Sequence, residues 1–170
     1  VGKKPFRMDV LSPSLMFDVD RVMLIATDGS LWVADISDSY DVSFTKRNNL
    51  GTPRTNAAMN VLPDGRVIFT GGSSSDKEQG NKVAWAVKYV QIWDPKANTI
   101  YKGPEEELAR LYHSSGLILP DGSLYSGGGG APGPLKNLNG NIYKPGYLFD
   151  PGTGEESTRP VVLSLPKNVQ

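Results

Sequence analysis

The chain of 170 residues has no cysteine and only one histidine. Without cysteine it can form no disulfide and can offer no thiolate to a metal. Its 18 basic residues are balanced by 18 acidic residues, so it has no positive field for nucleic acid or for an anionic membrane surface. No apolar run approaches the roughly 20 residues that a membrane-spanning helix needs. We therefore expect neither nucleic acid nor a membrane as a partner.

Helical periodicity is also nearly absent, whereas glycine (19) and proline (13) are frequent. Short alternating runs lie between Asp-Gly and Asp-Pro turns, which is typical of an all-β fold. Leu62-Pro63-Asp64-Gly65 returns as Leu119-Pro120-Asp121-Gly122, 57 residues later, and paired glycines follow both copies. A weaker copy covers residues 16–25. Repeats of about 50 residues with paired glycines predict the blades of a kelch-type β-propeller.

Each repeat is predicted to contain four strands. In the middle repeat, the predicted strands are residues 56–62, 66–70, 88–93 and 99–102. The third strand is placed at residues 33–37 in the first repeat and at residues 141–149 in the last. Asp-Gly pairs supply the positive φ that tight hairpins need.

Three blades cannot close a ring, because propellers usually have about 4–8. We therefore predict that residues 1–156 form part of a propeller, completed by the remainder of the same propeller or by a companion chain. Residues 157–170 leave the blade pattern. They are expected to be a linker or the first strand of a C-terminal β-sandwich domain.

Strand direction predicts which face of the propeller carries function. The long connections, residues 73–87, 103–111 and 129–139, lie on one face, and function commonly resides on such loops. Arg110, Tyr112 and His113 enter their blade on this side. Trp85 lies in one of these loops, where it either stacks on a sugar ring or packs over the blade edge. The acidic run Glu105-Glu106-Glu107 is expected to be solvated, as charge runs usually are.

Tyr112 and His113 form the candidate metal pair. Imidazole binds Cu, Zn, Fe and Ni, and a metal stabilises a phenolate. Because adjacent residues of a regular strand point to opposite faces, the backbone must leave the regular pleat for both to reach one ion. The alternative is a histidine that packs between blades. Aligned on Arg54 and Arg110, the second repeat has Asn56-Ala57 in place of this pair.

An ordered series of motifs over about residues 53–160 resembles the last propeller blades of the galactose oxidase and glyoxal oxidase family. The series in the last repeat is Arg110-Leu111-Tyr112-His113-Ser114, Leu119-Pro120-Asp121-Gly122, Gly127-Gly128-Gly129-Gly130, Asn141-Ile142-Tyr143-Lys144-Pro145-Gly146-Tyr147-Leu148-Phe149 and Thr158-Arg159-Pro160. The preceding repeat contributes Arg54-Thr55, Gly71-Gly72 and Gln91-Ile92-Trp93-Asp94-Pro95.

This resemblance implies a secreted copper-radical oxidase that oxidises primary alcohols or aldehydes and reduces O2 to H2O2. It implies a seven-bladed propeller, of which about three blades are present, followed by an immunoglobulin-like domain. By motif match, Tyr112 is the catalytic axial tyrosine that accepts the substrate proton, and His113 is an equatorial copper ligand. Trp85 and Arg110 are the candidate substrate contacts.

The resemblance also implies groups that this chain lacks. The radical cofactor is a tyrosine cross-linked to a cysteine, and a second histidine completes the copper site, so both are expected outside this chain. The alternative is a non-catalytic kelch-like module that binds carbohydrate or protein. The expected partner is a small alcohol, aldehyde or carbohydrate.

Overall fold

Three antiparallel sheets make up the described part of the chain in a computed structural model. The described residues are 4–38, 41–75, 81–130, 136–159, 161 and 164. Within them, strands β1 to β11 are paired in three sheets, which we call blades 1, 2 and 3. Blade 1 contains β1 (Ser14–Asp18), β2 (Arg21–Ile25), β3 (Ser30–Asp35) and β4 (Ser43–Asn49). Blade 2 contains β5 (Ala58–Val61), β6 (Val67–Thr70), β7 (Tyr89–Asp94) and β8 (Thr99–Glu105). Blade 3 contains β9 (Ser114–Ile118), β10 (Leu124–Gly128) and β11 (Gly140–Tyr143).

Sequential strands are neighbours in every blade, so each blade is an antiparallel meander. This confirms the predicted all-β class. The described residues include two single turns of 3-10 helix. Val83–Trp85 lies between β6 and β7, and Gly146–Leu148 follows β11. No helix among the described residues has the length and apolar character that a bilayer span requires.

The repeated Asp-Gly turns close the first hairpin of blades 2 and 3. Gly65 and Gly122 both have φ of +84°, which is favourable for glycine and costly for most other residues. The Asp121 carboxylate accepts hydrogen bonds from the amide (2.9 Å) and hydroxyl (2.6 Å) of Ser123. Asp28 accepts the same pair of bonds from Ser30 in the turn that joins β2 to β3. Local side-chain bonds of this kind fix where each hairpin turns.

Several strand assignments differ from the sequence prediction. In blade 1 the third strand was expected over residues 33–37, but β3 covers Ser30–Asp35. In blade 3 four strands were expected, but the described residues contain three. The third strand of blade 3 was expected over residues 141–149, but β11 ends at Tyr143 and Pro145 precedes a 3-10 turn. Proline has no amide hydrogen for the ladder, so a strand ends readily beside it. In blade 2, β8 extends to Glu105 rather than ending near residue 102. The later part of the predicted linker, residues 160, 162, 163 and 165–170, lies outside the described residues.

The seam between blades 1 and 2 is filled by apolar side chains. Phe69 and Trp93 of blade 2 have no exposed surface, and the Phe17 ring meets the Trp93 ring edge-on with centroids 5.2 Å apart. The remaining buried members of this cluster are Met23, Ile25, Leu31, Leu50 and Val67. Burial of apolar area is the main stabilising contribution at this seam.

The seam between blades 2 and 3 is closer and less apolar. Its buried apolar cluster is Leu62, Ile68 and Leu124. A Cβ atom on Gly116 of β9 would lie only 3.0 Å from the Ala58 Cβ of β5, so glycine permits the close approach of these strands. Asn60 Nδ2 donates to the Gly116 carbonyl across this contact (3.2 Å). The Tyr-His segment lies directly before β9, beside this seam.

Candidate metal centre

Tyr112 and His113 occupy a turn immediately before β9. The Ser114 amide donates to the Leu111 carbonyl (2.9 Å), and the Gly130 amide donates to the Tyr112 carbonyl (2.7 Å). His113 has φ of +62°, in the left-handed region that few residues other than glycine adopt. The backbone therefore leaves the regular pleat at this pair.

This turn brings the two rings together. The phenol ring of Tyr112 stacks on the imidazole of His113, with centroids 3.7 Å apart and an angle of 28° between the planes. Both side chains are exposed, Tyr112 to 37%. The pair therefore offers a phenol oxygen and an imidazole nitrogen from one accessible site, where a regular strand would have separated them.

Blade 2 contains the same turn with different side chains. Its Ser73 amide donates to the Thr55 carbonyl (2.8 Å), 57 residues before the Gly130 to Tyr112 bond. Asn56 has φ of +59°, matching that of His113. The structural counterparts of Tyr112 and His113 are therefore Thr55 and Asn56, and not the Asn56-Ala57 pair obtained by aligning the arginines.

Arg110 is buried just before the turn, with 1% of its surface exposed. Its Nε donates to Oε2 of Glu106 (2.6 Å), and its Nη1 donates to the carbonyls of Gly128 (3.2 Å) and Asn139 (3.1 Å). The Nη1 and Nη2 atoms also donate to the side chains of Asn139 (2.8 Å) and Asn141 (3.0 Å). The guanidinium thus holds backbone and side chains of blade 3, and a substrate contact for Arg110 stays a prediction.

Glu106 is 2% exposed and is the acceptor at the centre of this cluster. Besides Arg110, it accepts a hydrogen bond from the Ser126 hydroxyl (2.8 Å). Glu106 was expected to be solvated with its neighbours Glu105 and Glu107, and this expectation is wrong. Those neighbours are exposed, but Glu106 turns inward to neutralise an arginine. An acidic residue four positions before an arginine was the available sequence signal.

Further polar groups extend the cluster into both blades. Arg54 of blade 2 donates to Gln91 Oε1 (3.2 Å) and to the Tyr89 carbonyl (2.5 Å), and burial lowers the pKa of its guanidinium to about 10. Burial, reinforced by the negative charge of Glu106, raises the pKa of the Tyr143 phenol above its ordinary value. At neutral pH the Arg54 guanidinium is therefore charged and the Tyr143 phenol is neutral.

Trp85 lies on the 3-10 turn in the long loop of blade 2 and is 47% exposed. Its carbonyl accepts hydrogen bonds from the Ser74 amide (2.7 Å) and hydroxyl (3.0 Å). In the same loop, Asn81 Nδ2 donates to the Gly130 carbonyl (2.9 Å), and Gly130 in turn holds Tyr112. The loop with the exposed tryptophan is thereby tied to the Tyr112-His113 turn.

The donors of the described side chains can be compared with those that a metal needs. Within the described ranges, no group of three or more His, Cys, Asp or Glu side chains is placed to share an ion. One imidazole and one phenol suit copper, which binds imidazole nitrogen readily. The two donors therefore fit part of a copper site and do not complete one by themselves.

Comparison with known proteins identifies the family of this chain. No family model matches the chain. A galactose oxidase of Gibberella zeae is 34% identical over 117 residues, which is 68% of this chain and 17% of that enzyme. The chain belongs to the galactose oxidase family. A second galactose oxidase sequence from Gibberella zeae matches to the same extent. The chain spans less than a fifth of the length of these curated relatives.

Solved structures agree on the fold of this galactose oxidase family member. A fungal alcohol oxidase of the AA5 family, described in complex with copper, superposes with a TM-score of 0.79 at 23% identity. That match covers 91% of this chain and 35% of the enzyme. YjhT superposes with a TM-score of 0.55 at 20% identity, over 74% of this chain and 34% of that protein. At these identities the matches support a shared propeller architecture.

Proposed function

We propose that this chain forms the last propeller blades of a copper-radical oxidase, and that Tyr112 and His113 are two of its copper ligands. The observation that carries the proposal is the stack of these two rings in a left-handed turn on the long-loop side. The sequence relation to galactose oxidase supports the copper chemistry. The second histidine and the cysteine-linked tyrosine radical would be supplied from outside the chain.

Tyr112 and His113 would divide the work at this site. A phenolate oxygen can bind a metal cation and, when released from it, can accept a proton from a substrate hydroxyl at Oη. His113 would contribute a neutral ring nitrogen, the form of imidazole that binds metals. Copper, when bound, supplies the one-electron redox chemistry that couples alcohol or aldehyde oxidation to the reduction of O2 to H2O2.

The substrate would approach over the exposed side of the same face. Trp85 presents 47% of its surface there, and an exposed indole is suited to stacking on a sugar or on another small alcohol. Primary alcohols, aldehydes and carbohydrates are therefore the proposed substrate class, and an extracellular location belongs to the same proposal.

The proposal is tested by copper content and peroxide release in the intact protein that contains this chain. Wild type should hold one copper per molecule and release H2O2 from a panel of primary alcohols and aldehydes. Tyr112→Phe and His113→Ala should each lose most of the copper-dependent peroxide release. Tyr101→Phe is the matched control, because Tyr101 is also exposed (51%) but lies on β8, away from the turn.

Absence of copper and of peroxide from wild type would contradict the proposal. The chain would then be a non-catalytic propeller segment, and Trp85 would be the first residue to test for carbohydrate binding. Equal loss of copper in Tyr112→Phe and in Tyr101→Phe would also contradict the assigned ligands, because it would show a general effect on folding.

A further inference from the structure

We infer that the buried Glu106–Arg110 ion pair is a positioning element for the Tyr112-His113 turn. The inference rests on the proposed function only where it calls Tyr112 and His113 copper ligands. That the ion pair holds the turn in place does not depend on copper. Both side chains of the pair are 1% exposed, and the Nε to Oε2 distance is 2.6 Å. A buried pair is costly to desolvate, so its geometry must be well satisfied by further bonds.

A continuous path of hydrogen bonds leads from the ion pair to the turn. Arg110 Nη1 donates to the Gly128 carbonyl, at the end of β10. Two residues later, the Gly130 amide donates to the Tyr112 carbonyl at 2.7 Å. Glu106 orients the guanidinium, the guanidinium holds the end of β10, and the end of β10 holds the carbonyl between the two proposed ligands.

Arg110 also holds the end of the loop that leads into β11. The Asn139 carbonyl accepts from Arg110 Nη1 (3.1 Å) and from the Gly128 amide (3.1 Å). One guanidinium therefore joins both ends of the connection between β10 and β11. Because Gly128, Gly129 and Gly130 all have positive φ, this segment has little intrinsic preference for one path and depends on such bonds.

The equivalent turn in blade 2 is held by different hydrogen bonds. There, Thr55 and Ser73 exchange two backbone hydrogen bonds (3.0 and 2.8 Å), which clamp the turn directly. In blade 3, the Gly130 carbonyl instead accepts from the Asn81 side chain (2.9 Å). Of these two bonds at the blade 3 turn, one is therefore made by a side chain, and the other depends on Gly130, which follows the strand end that Arg110 holds.

This difference provides an internal control for an exchange experiment on the intact protein. In Glu106→Gln, we expect the Gly130 amide to exchange with solvent at least about tenfold faster. The Ser73 amide, its counterpart in blade 2, should change by less than about twofold. Glu107→Gln is the matched control, since Glu107 is an exposed neighbour whose backbone carbonyl, not its side chain, accepts from Lys88.

A second variant covers the case in which Glu106→Gln fails to fold. Asn139→Ala removes one acceptor of Arg110 (2.8 Å) from an exposed residue and should fold. It should accelerate exchange at Gly130 in the same direction, by a smaller factor. Unchanged exchange at Gly130 in both variants, or equal acceleration at Gly130 and Ser73, would overturn the inference.

Cu(II) titration separates this inference from the proposed function. If the wild-type protein binds Cu(II), Glu106→Gln should weaken binding by about 10–100-fold, as loss of groups that orient metal ligands usually does. Unchanged Cu(II) affinity together with faster Gly130 exchange would overturn the link to the ligands. If wild type binds no Cu(II), the proposed function fails, and the exchange result still decides whether the pair positions the turn.

Discussion

The two seams between blades are built from different chemistry at equivalent positions. Phe69 is the third residue of β6 and fills the seam between blades 1 and 2. Its counterpart 57 residues later is Ser126, the third residue of β10, which donates to the buried Glu106. The first seam is thus closed by non-directional apolar contact, and the second partly by directional bonds.

The directional bonds give the second seam a role besides holding two blades together, because they fix the position of one blade against the other. Apolar contact tolerates small shifts of one sheet against its neighbour, whereas an ion pair with five further hydrogen bonds defines one arrangement. The Tyr112-His113 turn adjoins the second seam. Its geometry is consequently tied to the packing of blade 3 against blade 2.

Removal of a large side chain from the apolar seam should have the largest effect on stability. Phe69→Ala leaves a cavity in a fully buried cluster, so we expect a loss of about 3–5 kcal/mol in the free energy of unfolding. Urea unfolding of the intact protein measures this loss. Val19→Ala, in the turn between β1 and β2 where Val19 is 80% exposed, should change it by less than about 0.5 kcal/mol. Similar losses in both variants would show that the first seam is not the main apolar core.

Removal of one hydroxyl from the polar seam should have a smaller effect. Ser126→Ala deletes a donor to the Glu106 carboxylate, and hydrogen bonds to charged groups contribute about 1.5–3 kcal/mol. The same unfolding measurement applies, with Thr99→Val as the control, because it removes a hydroxyl from an exposed position of the edge strand β8. Equal stabilities of Ser126→Ala and wild type would mean that Glu106 does not need this donor.

Substitutions at the two left-handed positions test whether the turns are equivalent. His113→Gly should be more stable than His113→Ala by about 1 kcal/mol, because alanine bears the cost of φ near +60° that glycine avoids. Asn56→Gly and Asn56→Ala should differ by a similar amount. Thermal unfolding of the four variants gives both differences. If the glycine and alanine variants differ in stability at one of these two positions but not at the other, the two turns are not equivalent.

Acid should weaken the hairpin turns of blades 1 and 3 by a small amount. Hydrogen bonds from the Ser30 hydroxyl and amide hold the pKa of Asp28 below its ordinary value, and Ser123 does the same for Asp121. A lowered pKa means that these carboxylates stabilise the fold above about pH 4 and lose that contribution as the pH falls through their folded pKa values. Asp28→Asn should therefore flatten the dependence of unfolding on pH below about pH 4. A slope equal to that of wild type would contradict this prediction.

Much of the fold could be predicted from the sequence because its signals are local. Asp-Gly turns and alternating apolar residues define the hairpins, and the 57-residue repeat gives the order of strands in blades 2 and 3. The early end of β11 was missed although Pro145 marks it, because the apolar run continues beyond the proline.

The candidate site could be predicted only in part. The Tyr112-His113 pair was found as a motif, and the requirement that it leave the strand pleat follows from strand geometry. Glu106 was missed because burial of a charge depends on its partner, here Arg110. The repeat aligns Phe69 with Ser126, but it does not show that Ser126 donates to a buried carboxylate. The 57-residue offset of the repeat pairs Asn56 with His113, whereas alignment on the two arginines shifts this pairing by one residue. The hydrogen bonds of the two turns agree with the 57-residue offset.

The left-handed position at Asn56 and His113 has an evolutionary consequence. Asparagine and histidine are among the few non-glycine residues enriched at positive φ, and their codons differ by a single base. A duplicated blade can therefore exchange an amide for an imidazole at this position without rebuilding its turn. Within such a lineage, ligands for a metal can be gained or lost blade by blade while the scaffold is inherited unchanged.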